Sequence, residues 1–226
     1  VSGSKVKQLA LDLRHRAATG REDFLVSSSN SDAVVWVDRW PDWPGTALVL
    51  VGPAGCGKTH LGQVWRERTG AAIFKPMGSR DEISQVGPVF VDSPEDPRHD
   101  EELFHLFNSA TAAGTHILIA SKTPPARWEG RLPDLKSRLG AALNISIHAP
   151  DETLIAAVMI KMFADQQMQV GTEVLAYLVN RMDRSFEAAR TLVARLNNAS
   201  LATRRGITVP LAREVLESME STDREN

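Results

Sequence analysis

The sequence contains a single cysteine, Cys56, so no internal disulfide can form, which suits a reducing compartment. It also lacks a surplus of positive charge. Twenty-six Lys and Arg face 28 Asp and Glu, for a formal net charge of −2. That balance argues against a chain built mainly to coat nucleic acid, whose usual footprint is a domain-wide basic excess; it leaves room for a local basic patch. No apolar run approaches the roughly 18 residues a membrane-spanning helix needs, and no signal peptide is recognisable. A cytoplasmic protein without a membrane partner is expected. The six histidines and Cys56 show no metal-ligand spacing, and there is no internal repeat or low-complexity tract. What is present is 42% hydrophobic residues in a chain of 226, enough for a sizeable core and one or two domains.

Residues 1–20 carry no strong period and read as an extended arm. From there to residue 149, short apolar runs alternate with helical patterns. Strands are predicted over 47–51, 71–74, 88–92, 116–121 and 143–148, and helices over 58–69 and 101–113. The strand at 47–51 is a continuous apolar run bounded by Gly45 and Gly52, the pattern of a buried parallel strand. Alternation of this kind predicts an α/β domain with a five-stranded parallel sheet and helices on both faces. After Ala149 and Pro150 the pattern changes, and only helices are predicted: 151–168, 172–182, 185–204 and 210–220. Residues 150–226 thus read as a small all-helical domain. Trp36, Trp40 and Trp43 are expected to pack the approach to the first strand.

Gly52, Pro53, Ala54, Gly55, Cys56, Gly57, Lys58 and Thr59 follow the first strand and open a helix. Gly52, Gly57, Lys58 and Thr59 fit the phosphate-loop pattern, with Gly55 as a further glycine inside it. Glycines at these positions let successive backbone N–H groups turn toward phosphates. Lys58 supplies a point charge to them, the Thr59 hydroxyl is placed to ligate Mg²⁺, and the helix start adds its positive dipole end. ATP or ADP is the expected ligand. Asp92 closes an apolar strand, where an acid holds Mg²⁺ directly or through water. The residue after it is Ser93 rather than a second acid; Glu95 and Asp96 lie nearby, beyond Pro94. Self-hydrolysis is therefore expected to be weak at most.

At this point the sequence resembles the DnaA group of AAA+ ATPases and the related helicase loaders. The resemblance rests on Gly57, Lys58, Thr59, His60 and Leu61, and on the segment Phe24 to Asn30, which is similar to the one lining the family's adenine pocket (Phe24, Val26 and Asn30 here). Residues 123–128 resemble the proline-containing segment after the fourth strand, and Leu135 to Leu139 the arginine-finger box. The resemblance covers about residues 20–220 and implies an AAA+ core over 21–149 followed by a helical lid. It places Ser121 at the sensor-1 position and Arg138 on the arginine finger. The lid's sensor-2 arginine has no direct match: Glu187 occupies its register, with Arg190 three residues on and Arg184 as a second candidate.

The initiators of this family carry a further helix-turn-helix DNA-binding domain, for which no segment is read here, so direct sequence-specific DNA binding is not expected. In the arm, Gln8, Leu9, Leu11 and Leu13 resemble the short peptide with which proteins dock on the replicative sliding clamp. Together these resemblances imply a regulator of the initiator DnaA. Its partners would be the sliding clamp (the β subunit of DNA polymerase III) and DnaA itself, on whose ATP Arg138 acts, with ADP and Mg²⁺ in the chain's own site. A homodimer or higher oligomer is compatible with this reading. Two other readings stay open: a clamp-tethered adaptor with a structural nucleotide, and a helicase-loader or transposition-helper ATPase.

Overall fold

The computed structural model describes residues 24–75 and 87–224. Gln8, Leu9, Leu11, Leu13 and the whole of the arm over 1–20 lie outside the described residues.

A parallel sheet forms from β1 (Ala47–Val51), β2 (Ala72–Ile73), β3 (Val89–Asp92), β4 (Ile117–Ser121) and β5 (Leu143–Ser146), in the order β2-β3-β4-β1-β5. The apolar central strands alternate between two cores. Leu48, Leu50, Phe90, Leu118 and Ala120 face one side and pack on α1 (Ser31–Asp38) and α2 (Lys58–Thr69). Val49, Val91, Ile117 and Ile119 face the other and pack on α3 (Asp100–Ala113) and α4 (Pro133–Gly140). Period-2 side-chain alternation makes this two-sided burial follow directly from the apolar runs.

The strands at the two edges are shorter than predicted. β2 keeps only Ala72 and Ile73, both exposed. β5 stops at Ser146, because the chain then bends away and the His148 N–H donates to the Ser29 carbonyl at 3.0 Å. Helix α1 was not predicted. Its sequence is rich in valine, a poor helix former, and Asn30 before it makes no capping bond. Tertiary burial of Ala33, Val34 and Val37 stabilises it. The three tryptophans do lie here. The Trp43 ring stacks on Trp65 with centroids 5.5 Å apart, and its Nε1 donates to the Trp36 carbonyl at 2.7 Å.

Four helices follow: α5 (Glu152–Asp165), α6 (Thr172–Val179), α7 (Phe186–Thr203) and α8 (Val209–Arg224). Asp151 caps α5 through its carboxylate to the Leu154 N–H at 2.7 Å, and Ser185 caps α7 through its hydroxyl to the Ala188 N–H at 3.0 Å. These helices share their own core, with Ile155, Met159, Phe163, Leu178, Leu192 and Leu196 at its centre. Helix α5 ends before the predicted residue 168 because Gln167 adopts a left-handed conformation, φ 57°, and the Met168 N–H turns back to the Phe163 carbonyl. Among the described residues no helix is long and apolar enough to cross a membrane.

Candidate functional site

The phosphate loop runs from the end of β1 into α2. At Gly52 the backbone passes so close to Ile147 that a Cβ would lie 2.2 Å from its carbonyl oxygen. Gly55 and Gly57 take φ values of 70° and 101°, a region other residues enter only with strain. Lys58 is buried. Its Nζ donates to the carbonyls of Gly52 at 2.8 Å and Pro53 at 2.7 Å, and lies 3.7 Å from Cys56 Sγ. Cys56 turns into the core beneath the loop, so it shapes the loop rather than offering a side chain to a ligand, whereas Pro53 and Ala54 stay exposed.

A cleft of about 610 Å³ opens over the loop. Gly55, Gly57, Lys58, Thr59 and His60 form its floor, Phe24, Leu25 and Asn30 one wall, and the helical domain the other. The rings of Phe24 and His60 stack at 5.5 Å with an interplanar angle of 14°. Asn30 ties its own segment together: Oδ1 accepts from the Ser27 N–H at 2.9 Å and Nδ2 donates to the Leu25 carbonyl at 3.0 Å. Val26 packs on the core beside α1. From the helical domain come Val158, Lys161, Met162 and Asp165 of α5, and Phe186, Glu187 and Arg190 of α7. Arg190 and the unexpected Glu187 therefore line the cleft together, whereas Arg184 is ion-paired to Glu152 on the lid surface. Gln63, Lys161, Asp165 and Phe186 were not singled out in the sequence. Gln63 lies one turn after Thr59 on α2, whereas Lys161, Asp165 and Phe186 belong to no local motif and reach the loop only through docking of the lid.

At the acidic end, the Thr59 hydroxyl donates to Asp92 Oδ1 at 3.2 Å, joining residues 33 positions apart. Both are exposed oxygen ligands, Thr59 in the first turn of α2 and Asp92 at the end of β3, a set that suits a hard divalent cation shared with phosphates. Ser93 then adopts φ 53°, and this left-handed step turns the following residues back toward the sheet. Glu95 Oε1 accepts from the Lys122 N–H at 2.7 Å and lies 3.1 Å from the hydroxyl of Ser121, which is itself 2.6 Å from the Thr123 carbonyl. Ser121 is fully buried. Asp96 goes elsewhere: hydrogen bonds from the Arg98 side chain and backbone hold its carboxyl well below the usual carboxylate range. Of the two acids near Asp92, Glu95 is the one brought to the end of β4.

Arg138 stands apart from this cleft. It is exposed in the last turn of α4, its guanidinium carbon 5.4 Å from the ring centre of Phe104 and 5.8 Å from that of Phe107 on α3.

Comparison with known proteins bears on this arrangement. A family profile described as "Hda, lid domain" matches residues 151–216, the helical domain. Domain III of the Thermotoga maritima replication initiation protein DnaA superposes with a TM-score of 0.75 at 20% identity, over 87% of this chain and 95% of that one. AMPPCP-bound DnaA from Aquifex aeolicus gives 0.64 at 18% identity, over 89% of this chain and 68% of that one. The Thermotoga maritima RuvB Holliday junction branch migration motor gives 0.61 at 14% identity, over 76% and 61% respectively. At these identities the solved structures establish the fold, and the profile establishes the lid. The chain thus has the fold of DnaA domain III, and its helical domain matches the Hda lid profile.

Proposed function

We propose that this chain regulates the replication initiator DnaA: it holds ADP or ATP in its own cleft and presents Arg138 to the ATP bound by DnaA. The observation that carries the reading is the placement of Arg138. It is exposed on α4, away from the residues lining the chain's own cleft, and backed by two aromatic rings. An arginine so placed is available to a nucleotide held by another protein, and the match to the Hda lid profile together with the DnaA-like fold supports DnaA as that partner.

In the chain's own site, Lys58 exchanges the Gly52 and Pro53 carbonyls for phosphate oxygens, and the loop N–H groups and the start of α2 complete the cradle. The stacked rings of Phe24 and His60 offer an aromatic surface against which a base packs. Thr59 and Asp92 would hold Mg²⁺, which neutralises phosphate charge when bound. Glu187 in the register of sensor 2, and Ser93 after Asp92, both suit a site that senses nucleotide more than it turns it over. Gln8, Leu9, Leu11 and Leu13 dock the arm on the sliding clamp, which brings the AAA+ surface to DnaA near DNA.

At the partner, Arg138 neutralises charge that develops on the transferring phosphoryl group. A finger supplied in trans is worth roughly 10³- to 10⁵-fold in turnover. The test is hydrolysis of DnaA-bound ATP in the presence of DNA-loaded clamp. Wild-type chain stimulates it, and Arg138→Ala abolishes the stimulation while ADP binding and clamp binding persist. Stimulation that survives the substitution removes the finger role. A chain that binds clamp and nucleotide yet never stimulates is a tethered adaptor, and one that binds a helicase or transposase instead belongs to the loader class.

A further inference from the structure

The geometry points to Arg131 and Asp100 as positioning residues that couple the chain's own nucleotide site to the helix carrying Arg138; the inference rests on the finger role proposed above. Arg131 and Asp100 form an ion pair whose side chains are only 1% and 5% exposed. The pair has three further attachments. Arg131 Nη1 donates to the Pro94 carbonyl at 2.9 Å, two residues beyond Asp92. The Arg131 guanidinium carbon lies 4.4 Å from the ring centre of Trp128. Asp100 Oδ2 accepts from the Leu132 N–H at 2.8 Å, the residue that immediately precedes α4.

Each attachment belongs to a different part of the machinery. Pro94 sits in the turn after Asp92, and the same turn is held from its other side by Glu95 on the end of β4. Asp100 is the first residue of α3, which carries Phe104 and Phe107 under Arg138. Leu132 leads into α4, which carries Arg138 itself. One ion pair thus spans the turn beside the cation ligand and the starts of both helices that place the finger.

The chemistry suits a positioning role better than simple fastening. Burying two charges sacrifices hydration, and an apolar pair of similar volume would hold the helices at least as firmly; the best-attested use of a buried pair is to impose register. The bidentate reach of a guanidinium, planar and always charged, links a carbonyl and a carboxylate at set angles. Occupation of the space by Thr59 and Asp92 bears on the adjoining turn, and Arg131 carries that displacement to Leu132 and so to Arg138. By linkage, engagement of Arg138 by a partner changes nucleotide affinity by the same factor that nucleotide changes partner affinity.

The test uses the full chain labelled with 5-fluorotryptophan, with the Trp128 ¹⁹F resonance assigned through Trp128→Phe, and Mg–ADP as the probe. A double variant, D100N with R131M, keeps an oxygen for the Leu132 N–H and leaves no lone buried charge, so it is the form expected to fold. In wild type, Mg–ADP shifts the Trp128 resonance, and DnaA stimulation differs between the ADP-loaded and the nucleotide-free chain. In the double variant Mg–ADP still binds, the Trp128 resonance no longer responds, and stimulation falls by about tenfold and loses its dependence on nucleotide, a change within the usual range of coupling between sites. A Trp128 resonance unmoved by bound Mg–ADP in wild type, or a folded variant that keeps both responses, overturns the inference. If wild-type chain and Arg138→Ala are equally inert toward DnaA, the finger reading fails, and the ¹⁹F response still decides the coupling on its own.

Discussion

The N–H of Phe186, the first residue of lid helix α7, donates to the carbonyl of Gly55 inside the phosphate loop at 2.9 Å. The Phe186 ring lies over Gly57, so close that a Cβ there would be 3.1 Å from Cε2. The lid is thereby attached to the loop itself, beside Glu187 and Arg190, which line the same cleft.

Phe186→Ala removes the ring and leaves the backbone bond alone to hold the lid. Amide exchange over residues 55–59 and the first turn of α7 is expected to accelerate, while the central strands β1 and β4 keep their protection, because local opening becomes cheaper than global unfolding. Hydrogen-exchange mass spectrometry checks this. Unchanged exchange at the loop would show that the ring contributes nothing to lid attachment.

Lys58→Ala removes the charge that now rests on the Gly52 and Pro53 carbonyls. A hydrogen bond to a charged group contributes roughly 1.5–3 kcal/mol, so ADP affinity should fall by about 10- to 150-fold. Titration calorimetry measures it, and an affinity within error of wild type would remove Lys58 from the site.

Gly62 brings α2 onto β3. A Cβ at this position would lie 2.2 Å from Cε2 and Cζ of Phe90, whose side chain is fully buried. Gly62→Ala forces the helix off the sheet or the ring out of its rotamer, and overpacking of this kind costs about 1–3 kcal/mol. The denaturation midpoint should drop without loss of secondary structure at low denaturant.

His116 sits edge-on to Trp43, with ring centroids 5.4 Å apart, and partial burial pushes its pKa below the ordinary histidine value. The unfolded chain therefore takes up this proton first as pH falls. Stability is complete above the unfolded value of about 6.5 and declines below it, until the folded-state pKa is also passed. Thermal midpoints recorded from pH 8 to pH 5 should fall more steeply for wild type than for His116→Phe, and parallel curves would exclude the histidine as the cause.

Much of the fold is legible in the sequence because its signals are local. Ala47 to Val51, flanked by glycines, reads as a buried strand and is one, and helices near residues 58–69, 101–113 and 185–204 appear within a residue or two of those limits. The phosphate loop is legible for the same reason: glycines, lysine and threonine act within one turn of chain. Helix α1 is not, since its valines favour strand and only burial of Ala33, Val34 and Val37 holds it helical. The roles of neighbours can be equally opaque. Glu95 and Asp96 look alike in the sequence, yet one reaches Lys122 while the other is captured by Arg98. The left-handed step at Ser93 precedes that divergence and leaves no local signature.

By itself the sequence determined the alternation of strand and helix, the loop from Gly52 to Thr59 and the change to an all-helical domain after Pro150, because backbone preference and side-chain period act over a few residues. Tertiary structure alone decided which distant groups meet. It set β4 between β3 and β1, joined Thr59 to Asp92, placed Phe186 over Gly57 and buried Arg131 against Asp100. Those contacts arise from the crossover connections of a parallel sheet and from the docking of one helical layer on another, and their partners lie too far apart along the chain for any local pattern to announce them.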